Sequence, residues 1–289
     1  MTTHYRSLAR ALLGMTALSF PAILHAATQP VLPDSGAYTS GSGAIAQSGS
    51  TMTISQSSKN GVIQWNGFSV GQGGTVQFNN GSGATLNRVV GGDISVIAGK
   101  VGSTGSVFVI NPNGVIVSPT GQVAADGSFI ASSRSTTDAQ FMAGGSITLS
   151  GSSSGVVSNA GSITSKSGNV ALIGSAASNG GTISAANGVT AMIAGDNVIM
   201  KSDGSGVYVS QKSVTSGDVT NSGQIKAAAA RLEASNGNVY ALAGNSDGII
   251  QATGVATVNG EVTLVADNGA VDVAGSVNAQ SADGGGGSI

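Results

Sequence analysis

The sequence predicts an all-β fold, a right-handed parallel β-helix with an N-terminal β cap and extra-helical strands. Three observations predict it: a composition of small and β-branched residues, an internal period of 20 to 23 residues, and period-2 alternation inside each short apolar run. Of 289 residues 46 are Gly, and with 43 Ser, 38 Ala and 19 Asn these types make up about half the chain. Only 8% are charged while 40% are hydrophobic, which argues against a solvated disordered chain. Glycine shows no three-residue period and Pro occurs 5 times, so collagen is excluded. Glu occurs twice and Lys six times; a chain that avoids strong helix formers but keeps Val, Ile and Thr reads as strands and turns.

Residues 1–26 read as a signal peptide. Arg6 and Arg10 form the positive region, Ala11 to Leu24 the apolar run, and Leu24-His25-Ala26 the cleavage site. The run is too short for a spanning helix. Its removal takes away both histidines, His4 and His25, and leaves nine Lys and Arg against thirteen Asp and Glu, a net charge of −4. The acidic balance argues against nucleic acid as a partner. With no Cys and no remaining His, a Ser-His-Asp or Cys-His nucleophile and a zinc site of nitrogen or sulfur ligands are excluded. No cofactor, metal or catalytic residue is expected. An exported chain without disulfides depends on burial and strand pairing for stability.

Internal repetition organises the rest. One unit begins with Gly and continues with alternating aliphatic positions: Gly145-Ser-Ile-Thr-Leu149, Gly168-Asn-Val-Ala-Leu-Ile173, Gly237-Asn-Val-Tyr-Ala-Leu242, Gly260-Glu-Val-Thr-Leu-Val265 and Gly269-Ala-Val-Asp-Val273. A second places Gly-x-Ile or Gly-x-Val after a turn: Asn159 to Ile163, Asn179 to Ile183, Asn221 to Ile225 and Val273 to Val277. Separations of 20, 23 and 42, the last read as twice 21, set the period. Alternation places aliphatic side chains inside and the Ser, Thr and Asn set outside, while Gly and Asn supply positive φ at the corners. A short strand cannot bury its face alone, whereas stacked coils pair every strand above and below. The arithmetic gives roughly twelve coils and a rod on the order of 60 Å long.

A rod of this kind exposes a sheet edge at each end and needs a cap. Residues 32–60 are the candidate, alternating as Ala44-Ile45-Ala46-Gln47 and Met52-Thr53-Ile54-Ser55. At the other end Gly287-Ser288-Ile289 repeats the start of the Gly145 unit, so the chain is expected to be the N-terminal part of a longer protein. The expected division is 1–26 signal peptide, 27–145 cap and first coils, and 146–289 continuing repeats.

Residues 60–144 hold most of the bulky side chains: Trp65, Phe68 and Phe78, then Leu86-Asn87-Arg88-Val89-Val90-Gly91, Val107 to Ile110, Asn111-Pro112-Asn113-Gly114, and Phe141. The Asn111 to Gly114 segment lies between two apolar runs and reads as a turn: Pro112 presets φ, while Asn113 and Gly114 tolerate positive φ. Arg88, set among apolar neighbours, needs carbonyls or a carboxylate if buried and so locks the cap onto the first coils; exposed, it becomes a partner contact. Trp65, Phe68 and Phe78 are expected to fill the cap interface rather than to form a sugar platform.

From about residue 35 to 145 this segment resembles the secretion domain of two-partner secretion exoproteins, as in filamentous haemagglutinin, the high-molecular-weight adhesins and the haemopexin-binding exoproteins. The signposts are the strand ending in Trp65, the Asn87-Arg88-Val89 motif followed by Gly91, and Asn111-Pro112-Asn113-Gly114, in this order. The resemblance implies recognition by the periplasmic domains of a dedicated outer-membrane β-barrel transporter of the TpsB type, passage outward unfolded, and folding at the bacterial surface or outside the cell. Asn87, Arg88, Val89, Gly91, Asn111, Pro112, Asn113 and Gly114 then become the secretion-motif residues. The rod would begin a surface adhesin or haemagglutinin, with a host-cell or haem-protein ligand met through a distal region. The rival is a secreted β-helical polysaccharide lyase or glycoside hydrolase, which needs clustered carboxylates. Here the acids are scattered singly, and Asp267 and Asp272 read as a solvated corner.

Overall fold

A computed structural model describes residues 29–201, 207–211, 217–241, 249–255 and 260–289. The segment 1–26, read from the sequence as a signal peptide, lies outside the described residues. The chain winds as a parallel β-helix whose coils contribute up to three strands each. The first is represented by Gln122–Ala125, the second by Phe129–Ser132 and the third by Val157–Asn159.

Alternation on the first strands points every second side chain into the core, and one of the resulting columns is apolar and bulky in every coil. Met52, Val76, Val101, Val123, Ile163, Ile183, Ile225, Ile250 and Val277 stack in register. These are nine rungs, about 40 Å from first to last at about 4.8 Å per rung, fewer than the twelve that the period suggested. The difference lies in two excursions. Val123 and Ile163 are neighbouring rungs although residues 133–152 intervene, and Ile183 and Ile225 are neighbours across 42 residues. The second gap is one coil with an insertion, not two coils of 21.

Both excursions build one extra-helical layer. The helix Asp138–Ala143 starts at Thr137, whose side chain accepts from the Gln140 N–H, and ends at Gly144 in the left-handed region. Behind it Ile147–Ser150 pairs antiparallel with Asn197–Met200, which pairs with Val207–Gln211. Gly145 to Leu149 copies a repeat in sequence but belongs to this layer. Its apolar face covers the outward side of the second strands, so Val62, Leu86, Phe108, Ile130, Ala171 and Ala191 are buried against Phe141, Ile147, Leu149 and Val198. Strands buried on both faces read as continuous apolar runs rather than alternating ones, which accounts for Val107 to Ile110 and Val170 to Ile173. Beyond the layer the same outward positions become Arg231 and Glu233, paired at 2.8 Å.

The corner residues act differently from the expectation. Gly161, Gly181 and Gly223 do not have positive φ, and among the described residues only Ser35 and Asn268 do so without being Gly. They are needed for close approach. A Cβ on Gly181 would meet the Gly161 carbonyl oxygen at 2.1 Å, and one on Gly223 would meet that of Gly181 at 2.1 Å. The asparagines two residues earlier point inward. Asn159, Asn179 and Asn221 are buried and stacked in register. The amide of Asn159 donates to Asn179 Oδ1 at 2.8 Å and that of Asn179 to Asn221 Oδ1 at 2.7 Å. Each side chain thus satisfies the next, which is what permits polar groups in an apolar core.

The N-terminal edge is closed by antiparallel strands. Ala37–Ser40 pairs with Asn60–Trp65, and Gly43–Ser48 with Thr51–Gln56, each of the latter strands continuing into parallel coils. Trp65, Phe68 and Phe78 are buried under this cap, with Trp65 edge-on to Phe68 at 5.6 Å.

Candidate secretion-motif corner

Asn87 lies on Ala84–Val89 and points inward with Trp65 one coil below. The Trp65 indole N–H donates to Asn87 Oδ1 at 3.0 Å, and the Asn87 amide donates to the Phe108 carbonyl at 3.0 Å. Asn87 is fully buried, so it links three successive coils while satisfying the tryptophan. Val89 is buried one register step beyond, over Trp65.

Arg88 points the other way, toward the extra-helical layer. It forms an ion pair with Asp138 and donates to the Thr136 carbonyl at 2.6 Å. Asp138 also accepts from the Thr39 and Ser40 hydroxyls at 3.2 and 3.3 Å. One carboxylate at a helix N-terminus therefore joins the cap strand, the second coil and the helix, which is the locking role expected of a satisfied arginine. Burial pushes the Asp138 carboxyl up, but Arg88 with the two hydroxyls outweighs it and holds the group below the usual aspartate range. The lowered value means that this contact stabilises the fold above about pH 4, the unfolded aspartate range, and is lost as pH falls through the folded value. Replacing Asp138 by Asn should lower the thermal midpoint above pH 5, and the gap to wild type should narrow below pH 4. A gap independent of pH would remove the charge from this account.

In the second motif Asn111 is fully buried, and its amide donates to the Asp93 carbonyl at 2.9 Å and to Ser95 Oγ at 3.0 Å. Its Oδ1 accepts from the Asn113 N–H at 2.9 Å, and its carbonyl from the Gly114 N–H at 2.9 Å, closing the turn around exposed Pro112. Gly114 has φ 113 and takes the left-handed position; Asn113 does not. Instead Asn113 donates its amide to the Gly91 carbonyl at 3.0 Å. Gly91 must be glycine, because a Cβ would meet the Asn66 carbonyl oxygen at 2.2 Å. The two motifs thus form one corner on adjacent coils, and Arg88, Val90, Pro112 and Asn113 border a common groove.

Sequence reasoning missed Arg134. It has no exposed surface and donates to the Gly195 carbonyl at 2.7 Å, the Ser153 carbonyl at 2.8 Å and Asp196 Oδ1 at 3.0 Å. Burial lowers its pKa, opposed by Asp196. Within Ser132-Ser133-Arg134-Ser135-Thr136 it reads as a solvated loop residue, and no local signal marks it.

The family model that describes the TPS secretion domain matches residues 29–279. The chain belongs to this family. The HMW1 secretion domain from Haemophilus influenzae is similar in structure, with a TM-score of 0.60 and 25% identity over 83% of this chain and 73% of that one. The filamentous hemagglutinin secretion domain, 15% identical over 86% and 97% of the two chains with a TM-score of 0.55, shares the fold. Two Heme/hemopexin-binding proteins of Haemophilus influenzae are 34% identical over 100 residues and 40% identical over 78. The chain covers 11% and 8% of their lengths, so it spans about a tenth of these curated relatives. As a TPS secretion domain the chain carries a secretion-signal function, and none of these relatives supports the lyase or hydrolase reading. Among the described residues no group of three or more His, Cys, Asp or Glu could hold a metal ion.

Proposed function

We propose that residues 27–145 are the export signal of a larger TpsA-type exoprotein, bound by the periplasmic domains of its own outer-membrane TpsB-type barrel, and that 146–289 continue the rod. The module is non-catalytic, and the mature chain is extracellular or held at the bacterial surface. The rod presents an adhesin, haemagglutinin or haem-protein-binding region, a reading supported by the names of its relatives.

One observation carries this: Asn87 and Asn111 are buried and fully engaged in the folded rod. Another protein can reach them only before folding. Recognition therefore acts on extended chain in the periplasm, through strand-edge pairing, and folding outside then removes the motifs from reach. With no disulfide, nothing covalent opposes threading.

Asn113→Ala provides the test, because it deletes one exposed hydrogen bond at a cost of at most about 1 kcal/mol. With the cognate transporter present, its appearance in the medium should fall well below that of Thr164→Ala, which changes an exposed rung position. Equal export of the two would show that the corner holds the fold and carries no signal.

A further inference from the structure

The chain contains nine Asn-Gly pairs, and an asparagine before glycine is open to attack by its own backbone, because no side chain shields the following nitrogen. Folding blocks most of them. Asn80 and Asn179 are buried, and their amides donate to Thr85 Oγ1 at 3.0 Å and to Asn221 Oδ1 at 2.7 Å. Four more amides donate to neighbours: Asn60 to the Met142 carbonyl at 3.2 Å, Asn66 to Asp34 Oδ2 at 3.1 Å, Asn113 to the Gly91 carbonyl at 3.0 Å and Asn187 to the Lys166 carbonyl at 2.9 Å. Asn236 is half-buried, and Asn259 lies outside the described residues.

Asn268 is held in none of these ways. It is exposed at the corner between Glu261–Ala266 and Val271–Val273. The bonds that fix this corner flank the pair: the Asp267 N–H donates to the Ala234 carbonyl at 2.9 Å and the Ala270 N–H to Asn238 Oδ1 at 2.9 Å. Among the described residues no hydrogen bond engages the Asn268 side chain or the Gly269 N–H. The φ of Asn268 is 56, a left-handed conformation that costs a residue with a side chain energy, so rotation out of it meets little resistance.

We propose that Asn268 is a self-modification site of the folded rod. The Gly269 nitrogen gives up its proton and attacks Asn268 Cγ. The new N–C bond closes a succinimide ring as the bond from Cγ to the amide nitrogen breaks, and that nitrogen leaves as ammonia with a proton in place of the one lost. Water then opens the ring. Attack at Cγ yields aspartate, and attack at the Asn268 backbone carbonyl yields isoaspartate, whose main chain runs through the side chain and is longer by a methylene. Gly269 sits so close to the coil below that a Cβ would meet the Gly237 carbonyl oxygen at 2.1 Å, so a longer corner pushes Val271–Val273 out of register with Val239–Ala241. An unfolded chain offers every Asn-Gly pair to the same reaction, because the bonds that hold the others come only with folding. Modification at Asn113 therefore records time spent unfolded, whereas Asn268 reacts in the folded rod as well.

The test incubates the mature chain in mildly alkaline buffer, native and in urea. Mass spectrometry of its peptides follows the conversion of each amide to acid, and isoaspartyl methyltransferase counts the isoaspartate. In the native chain Asn268 is expected to convert about tenfold faster than Asn113 or Asn187, and in urea the three rates should converge. Asn268→Gln, whose longer side chain closes the ring far more slowly, should lower methyl acceptance by the native chain. Its position is exposed, so the fold is kept, and circular dichroism verifies this. Three results would each overturn the proposal: conversion at Asn113 or Asn187 as fast as at Asn268 in the native chain, methyl acceptance unchanged by Asn268→Gln, or conversion of Asn268 in urea alone.

Discussion

Arg134→Ala is expected to lower the unfolding free energy by about 3–5 kcal/mol, the cost of removing one partner from a buried ion pair. Five hydrogen bonds leave the guanidinium: to Gly195 O, Ser153 O, Ser153 Oγ, Ser133 Oγ and Asp196 Oδ1. Deletion leaves the buried Gly195 carbonyl and the partly buried Ser153 carbonyl short of a donor, and leaves the Asp196 carboxylate, 9% exposed, without the guanidinium that faces it. The position magnifies the effect. Gly151 donates to the Asp196 carbonyl at 3.0 Å, so Arg134, paired with Asp196, sits at the base of two of the extra-helical strands, Ile147–Ser150 and Asn197–Met200. Urea unfolding measures the total, and hydrogen exchange should show the amides of 147–150 and 197–200 losing protection first. A double-mutant cycle with Asp196→Asn separates the pair from the carbonyl contacts. A loss below about 1 kcal/mol would mean that water replaces the arginine and the layer is not held there.

The stacked aliphatic positions were legible because identical physical demands recur in each coil: Ile163, Ile183 and Ile225 follow a glycine by two residues and occupy one column. Where the chain leaves the coil, the same local pattern serves another purpose. Gly145 to Leu149 alternates like a rung because any half-buried strand alternates, and periodicity does not say which sheet receives it. The 42-residue gap was misread for a related reason, since a repeat count assumes that every residue belongs to a coil. The asparagines were placed outside on polarity alone. A buried amide becomes acceptable only when another stands one coil away, a condition that depends on stacking and not on local sequence.

For the motif corner the repeat itself carries the contact. Asn113 and Gly91 are 22 residues apart, and so are Asn87 and Trp65. Both separations fall within the period, so the contact between the two motifs was implicit in the repeat. Arg134 and Asp196, 62 residues apart across two excursions, offered no such ruler.

The central claim is that residues 27–145 carry the signal that the transporter reads. The direct measurement is the amount of chain in the culture medium, with the cognate outer-membrane barrel present, for the whole chain and for a deletion of 27–145 that keeps the signal peptide. The account predicts that the whole chain reaches the medium, while the deletion is made, crosses the inner membrane and stays in the periplasm. Equal amounts of both in the medium would contradict it.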